Sequence, residues 1–158
     1  MARIEHFDNP NAPKPNKIVV AVTVFVEDGE NRNRVLLIQR TDNGLWALPG
    51  GAQDFGESIA ETAMRETREE TGIEVEVTEI VGIYSDPRHL VEYSDGEVRQ
   101  QFSICFRAQY LSGDPMTSDE SSSVVWVARD QLDGLPMHPS MRLRVDHGFE
   151  RRSVPYIG

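Results

Sequence analysis

The residues best suited to chemistry fall in one run, RETREETG, from Arg65 to Gly72. Glu66, Glu69 and Glu70 stand at i, i+3 and i+4, a spacing that puts three carboxylates on one side of a helix, where they repel. A helix C-terminus already carries partial negative charge, so acids gathered there are disfavoured twice. Hard divalent cations reverse both penalties, because Mg²⁺ and Mn²⁺ take oxygen ligands and share them with substrate phosphates. A solvated acidic face is the competing reading of three glutamates alone, since glutamate is a good helix former. The preceding loop shifts the balance toward a cation site. Gly50 and Gly51 permit a sharp turn and can offer a carbonyl ligand, and Asp54, Gly56 and Glu57 then lead into the helix.

The elements that must position these acids follow from periodicity. Residues 57–71 read as the clearest helix, with Ser58 and Glu61 spaced as a capping box and Gly72 at the left-handed position that ends it. Ile59, Ala60, Ala63, Met64 and Thr67 share its inward face, and the acids border that stripe. Residues 17–26 and 34–40 read as apolar strands joined in a hairpin, and 45–51 as a short extended segment. Beyond the helix, 73–86 reads as one or two strands, 87–97 as a loop, 98–111 as a long strand, 112–122 as a second loop and 123–129 as a short strand. One helical turn at 130–135 and a helix over 139–150 complete the order. The expected fold class is α+β, a mixed sheet packed between helices. Residues 1–16, with Pro10, Pro13 and Pro15, read as a flexible or extended arm ahead of one domain over 17–158.

Composition narrows the function. A formal net charge of −10 argues against general nucleic-acid binding, which needs a basic surface to displace counterions. The same charge fits a protein partly neutralised by bound cations, or simply an acidic cytoplasmic one. No segment has the apolar length of a membrane span, and the polar N-terminus has no signal-peptide pattern, so a cytoplasmic location is the default expectation. Cys105, the single cysteine, sits in an alternating strand and reads as a buried structural thiol. His6, His89, His138 and His147 lack metal-ligand spacing and read as surface or structural residues.

The run GAQDFGESIAETAMRETREETGI, residues 51–73, resembles the Nudix box. Gly51, Glu57, Arg65, Glu66, Glu69, Glu70, Gly72 and Ile73 match that signature, and Thr67 departs from it where an aliphatic residue is usual. The departure falls on the inward helix face and leaves every ligand position intact. The resemblance implies an α/β/α sandwich around a mixed sheet. It also implies an enzyme that uses Mg²⁺ or Mn²⁺ to hydrolyse the pyrophosphate bond of a nucleoside diphosphate linked to another moiety. On it, Glu66, Glu69 and Glu70 hold metal, the Gly50 carbonyl adds a ligand, Arg65 orients the acids, and Glu57 supports the cluster or a second metal. Family members take the general base from the box or from a later loop. Glu66 is the first choice here, and Glu120, six residues before Trp126, is a further ligand or alternate base.

Recognition of the nucleotide is less sharply written. Trp46, Phe25, Tyr84 and Tyr93 are candidate walls for a base, although Trp46 equally suits a core position. Arg40, Arg88 and Arg99 are candidate contacts for phosphate or ribose. The stretch IYSDPR resembles members acting on ADP-ribose and nucleotide sugars, which places these ahead of nucleoside triphosphates. A non-catalytic nucleotide sensor and an acidic interaction protein are the other classes; the full set of box acids argues against the first, and titration with Mg²⁺ or Mn²⁺ discriminates the second. A homodimer, with the arm exchanged between subunits, is the expectation by family analogy.

Overall fold

The computed structural model describes residues 3–158. Ten strands and two helices follow the order β1 (Arg3–Phe7), β2 (Lys17–Glu27), β3 (Arg34–Arg40), β4 (Trp46–Ala47), β5 (Gly50–Ala52), α1 (Ile59–Thr71), β6 (Glu74–Tyr84), β7 (His89–Tyr93), β8 (Val98–Ser112), β9 (Ser121–Ala128), α2 (Pro139–Glu150) and β10 (Tyr156–Ile157). A 3₁₀ turn at Arg129–Gly134 precedes α2. The sheet is mixed: β8 lies parallel to β2 from Lys17↔Arg99 to Glu27↔Gln109 and antiparallel to β6 and β7.

Period-2 alternation explains the layers. On one face, Val22, Val24, Val26, Leu36 and Ile38 pack with Ala63 of α1 and with Ile73. On the other, Phe25, Val35 and Leu37 pack with Val127, Leu132 and Val145 of α2. Both faces of β2 and β3 are apolar, so the sheet must be covered on both sides, as the helix–sheet–helix expectation required. Cys105 is fully buried in the second of these clusters. Among the described residues no helix is long and apolar enough to cross a membrane.

Three expectations are corrected. β2 and β3 are not a regular hairpin, for they pair only at Glu27↔Val35. Each finds a longer partner, β2 in β8 and β3 in β9, and the glycine strand β5 occupies the edge of β2 nearest α1. The loop expected at 87–97 contains β7, which joins β1 to β8. The arm expected over 1–16 begins as a strand, with Arg3–Phe7 antiparallel to His89–Tyr93; residues 1 and 2 lie outside the described range. Short polar strands such as RIEHF and HLVEY carry a weak local signal and exist because a partner edge is there to receive them.

Candidate active site

Helix α1 is tied at both ends. The Ser58 hydroxyl accepts from the Glu61 amide at 3.2 Å, and the Glu61 carboxylate accepts from the Ser58 amide at 3.1 Å. Gly72 takes φ 76°, and its amide donates to the Arg68 carbonyl at 2.9 Å. The three acids of the last turns then meet three environments. Glu69 is largely exposed, the Glu66 side chain is mostly covered, and Glu70 is only 4% exposed. Burial of Glu70 is sharper than the bordering position expected from the helical wheel.

The glycine strand makes this packing possible. A Cβ on Gly51 would stand 2.5 Å from the Glu66 carboxylate, and one on Gly50 would stand 2.1 Å from the Val22 carbonyl oxygen. The Gly50 amide donates toward the Glu70 carboxylate at 3.4 Å. Arg65 gathers the cluster from the side. Its Nε donates to Glu57 at 2.5 Å, and its terminal nitrogens donate to Glu66 at 2.9 Å, Glu69 at 3.2 Å and the Ala52 carbonyl at 3.2 Å. The Arg65 guanidinium holds the Glu57 carboxyl down to about 2. Glu57 also accepts from the Asp54 amide and the Thr62 hydroxyl, so it braces Arg65 against the loop.

Glu70 is the opposite case. Burial, then the Glu66 carboxylate, then the Glu120 charge push its carboxyl up to about 9. Burial also raises Glu66, which shares a hydrogen bond with Glu70. A set of crowded carboxyl oxygens that cannot all ionise unaided is the donor chemistry that fits a hard divalent cation. Glu120 lies near enough for its charge to act on Glu70, because the loop before β9 is pinned to the helix end. The Ser121 hydroxyl donates to the Glu70 carbonyl at 2.6 Å.

A cavity of about 220 Å³ opens beside this cluster, lined there by Gly50, Gly51, Ala52 and Glu120. Arg40, Trp46, Tyr93 and Arg99 also line it. Its far end holds Arg3, Glu5, His89, Ser103, His138 and Arg144.

The NUDIX domain family model matches residues 17–147. The chain belongs to the Nudix family. It is 46% identical over 114 residues to a Bacillus subtilis protein described as a putative 8-oxo-dGTP diphosphatase, covering 72% of this chain and 69% of that one. It is 33% identical over 122 residues to an ADP-ribose pyrophosphatase of Methanocaldococcus jannaschii, covering 75% of this chain and 63% of that one. Among solved structures, a Nudix hydrolase from Nitrosomonas europaea superposes with TM-score 0.72 at 25% identity, covering 90% of this chain and 80% of that one. The chain is therefore a Nudix hydrolase, of the class that uses divalent metal to open pyrophosphate bonds.

Within this Nudix chain, two of the expected substrate contacts lie away from the cavity at the glycine strand. Tyr84 is buried in the core, bonded through its hydroxyl to His147 Nδ1 at 2.8 Å, and burial pushes its phenol well above the ordinary value. Arg88 is exposed and paired with Asp86 at 2.8 Å. Phe25 is fully buried core. The histidines need a second correction. His89 and His138 stack with ring centroids 4.6 Å apart, and their Nε2 atoms lie 3.5 and 3.1 Å from a Glu5 carboxylate oxygen. Ligand atoms of these three residues all fall within 4.8 Å of one another, a cluster with the donor types of a metal site. Sequence spacing offered no signal for it, since β1, β7 and the N-cap of α2 supply one residue each.

Proposed function

We propose that this chain hydrolyses the pyrophosphate bond of a nucleoside diphosphate linked to a second, polar moiety, with ADP-ribose and nucleotide sugars the leading substrates. The supporting observation is the continuity of one cavity from the Gly50–Glu120 edge to a wall of arginine, histidine and serine. A diphosphate held at the acids leaves its second moiety against that polar wall, where sugar hydroxyls find partners.

The proposed roles divide among the acids, Arg65 and the cavity lining. Glu66, Glu69, Glu70 and the Gly50 carbonyl would hold the divalent ion, Mg²⁺ or Mn²⁺, with Glu120 completing the set. When bound, the ion supplies positive charge against the diphosphate and makes water a stronger acid. Glu66 would accept the proton as water attacks phosphorus; its carboxylate lies against Gly51, a residue of the cavity lining. Arg65 fixes the rotamers of Glu57 and Glu66 by direct hydrogen bonds, so the acids are aimed before substrate arrives. Arg40 lines the cavity and is paired with Asp42 at 2.6 Å, where a phosphate oxygen would pass. Trp46 and Tyr93 offer flat surfaces for a base.

Product analysis tests the reading. The full chain with Mg²⁺ and a panel of ADP-ribose, nucleotide sugars and nucleoside triphosphates is expected to release nucleoside monophosphate plus a sugar phosphate. Triphosphate hydrolysis is the second reading, favoured by the 46% identity to a protein described as a putative 8-oxo-dGTP diphosphatase. Pyrophosphate released from a triphosphate, with nucleotide sugars untouched, would replace the first reading by the second.

A further inference from the structure

The cavity has an excess of unanswered hydrogen-bond donors. Eight buried side-chain polar atoms among the described residues have no hydrogen-bond partner, and six belong to residues lining this one cavity. They are Arg3 Nε, Thr23 Oγ1, His89 Nε2, Arg99 Nε, Ser103 Oγ and Arg144 Nε. The guanidinium nitrogens can only donate, and the hydroxyls can donate. Folded proteins seldom leave such atoms unsatisfied, and concentrating them around one space points to an acceptor-rich ligand.

Arg144 gives the ligand its charge. Arg3, Arg40 and Arg99 each have a carboxylate partner, in Glu5, Asp42 and Glu97. Arg144 is 2% exposed and forms no ion pair among the described residues. Its only evident support is the face of Tyr84, 4.7 Å from the guanidinium carbon. A buried arginine without a counter-ion is a costly thing for a fold to keep, unless an anion arrives. The neighbouring Glu5 forms no ion pair with it, being held by Arg3 at 2.5 Å, and favours the Arg144 cation only through space. The same two cations weigh against a metal on Glu5, His89 and His138. A dication there would face Arg3 and Arg144 together, whereas an anion is attracted by both.

We propose that this end of the cavity is a subsite for a phosphoryl or carboxylate group carried by the substrate's second moiety, beyond the diphosphate that is cleaved, with Arg144 as its counter-charge. The substrate part of this statement rests on the diphosphate-hydrolase reading, and the anion site rests on the cavity alone. The favoured substrates are thus nucleoside diphosphates whose second moiety is itself acidic, above their neutral counterparts.

Two measurements on the full chain test it. In the first, melting temperature is recorded in EDTA with inorganic phosphate, malonate or sodium chloride at matched ionic strength. Phosphate or malonate is expected to stabilise wild type beyond chloride, and the stronger of the two identifies the group. Arg144→Met is expected to raise the melting temperature of the free protein and abolish the anion shift, and Arg144→Lys to retain part of it. An Arg144→Met protein that is less stable and still shifted by anions would make Arg144 structural and overturn the subsite. Should that variant not fold, loss of the shift in Ser103→Ala supports the subsite and an unchanged shift in both Ser103→Ala and Arg144→Lys overturns it. Stabilisation by Zn²⁺ in EDTA-free buffer, lost in His138→Ala and unaccompanied by any anion shift, would replace the subsite by a metal site. In the second, kcat/KM is compared for UDP-glucuronate and UDP-glucose with Mg²⁺. Wild type is expected to prefer the acidic sugar by about tenfold, and Arg144→Met to bring the ratio toward one. Hydrolysis of both sugars with neither preference nor anion shift defeats the subsite. Hydrolysis of neither, with an Arg144-dependent anion shift, defeats the diphosphate reading and supports the subsite.

Discussion

Glu70 and Glu5 are the same residue type, both largely buried beside one cavity, and their carboxyls are driven in opposite directions. Glu70 is pushed up to about 9 by burial, Glu66 and Glu120. Glu5 is also penalised by burial, yet the His89 imidazole beside it and the charges of Arg3 and His138 bring it down to about 2. The comparison shows that the cavity has two poles. At one, the carboxylates outnumber the cations the protein supplies, and on the proposed function a divalent ion would complete the set. At the other, fixed positive charge and donors are in excess, and an acceptor completes it. The proposed substrate, a diphosphate bridged to a polar moiety, would meet both.

Glu66→Gln should lower kcat roughly 100- to 10,000-fold while Glu5→Gln changes chiefly KM, because proton acceptance belongs to the acid pole alone. Steady-state kinetics with Mg²⁺ separates the two, and equal kcat losses would erase the distinction between poles. Gly51→Ala should weaken divalent-metal affinity about 10- to 100-fold with little change in melting temperature, since the added methyl displaces the end of the Glu66 side chain. Gly50→Ala should instead cost folding stability, because its methyl meets the β2 backbone. Metal titration beside thermal unfolding distinguishes these outcomes.

The pH dependence of stability should show both glutamates with opposite sign. Glu70 has its folded pKa raised to about 9, so its contribution is full below about 4.5 and is lost as pH rises toward 9. Glu5 has its folded pKa lowered to about 2, so its contribution is full above about 4.5 and is lost as pH falls toward 2. In EDTA the melting temperature is therefore expected to fall on both sides of a mildly acidic optimum. Mg²⁺ or Glu70→Gln should flatten the alkaline limb, and Glu5→Gln the acid one. An alkaline limb that neither change touches would show that Glu70 does not carry it. The smallest effect concerns support common to the acid pole. Ser58→Ala should lower unfolding free energy by about 1 kcal/mol through loss of the capping box, with metal affinity kept.

The acid pole was legible because its information is local. Glycine, glutamate and arginine recur at spacings one helix and its entry loop impose, and α1 with its Ser58 cap and Gly72 terminus stands where periodicity places it. Thr67, the one departure from the box, is buried and turns its hydroxyl back to the Ala63 carbonyl at 2.8 Å, which satisfies it inside the helix. Arg40, Trp46, Arg99 and Glu120 were found as cavity residues from type and neighbourhood. Tyr84 and Arg88 were misplaced because an aromatic or an arginine near a loop carries no record of the face on which it will emerge. The donor pole was missed for a stronger reason. Its residues come from β1, β7, β8 and α2, in segments that read as arm, loop, strand and helix with nothing in common.

The alternating strands, the capped helix and the row of acids along it are written in the amino-acid order, because each follows from contacts within a few residues. Long-range packing settles that Glu70 is buried, that Glu5 and two histidines meet, and that Arg144 has no carboxylate partner among the described residues. Those outcomes depend on which strand edges pair and which faces are covered. Charges far apart in the chain acquire their energies only when packing removes the water between them.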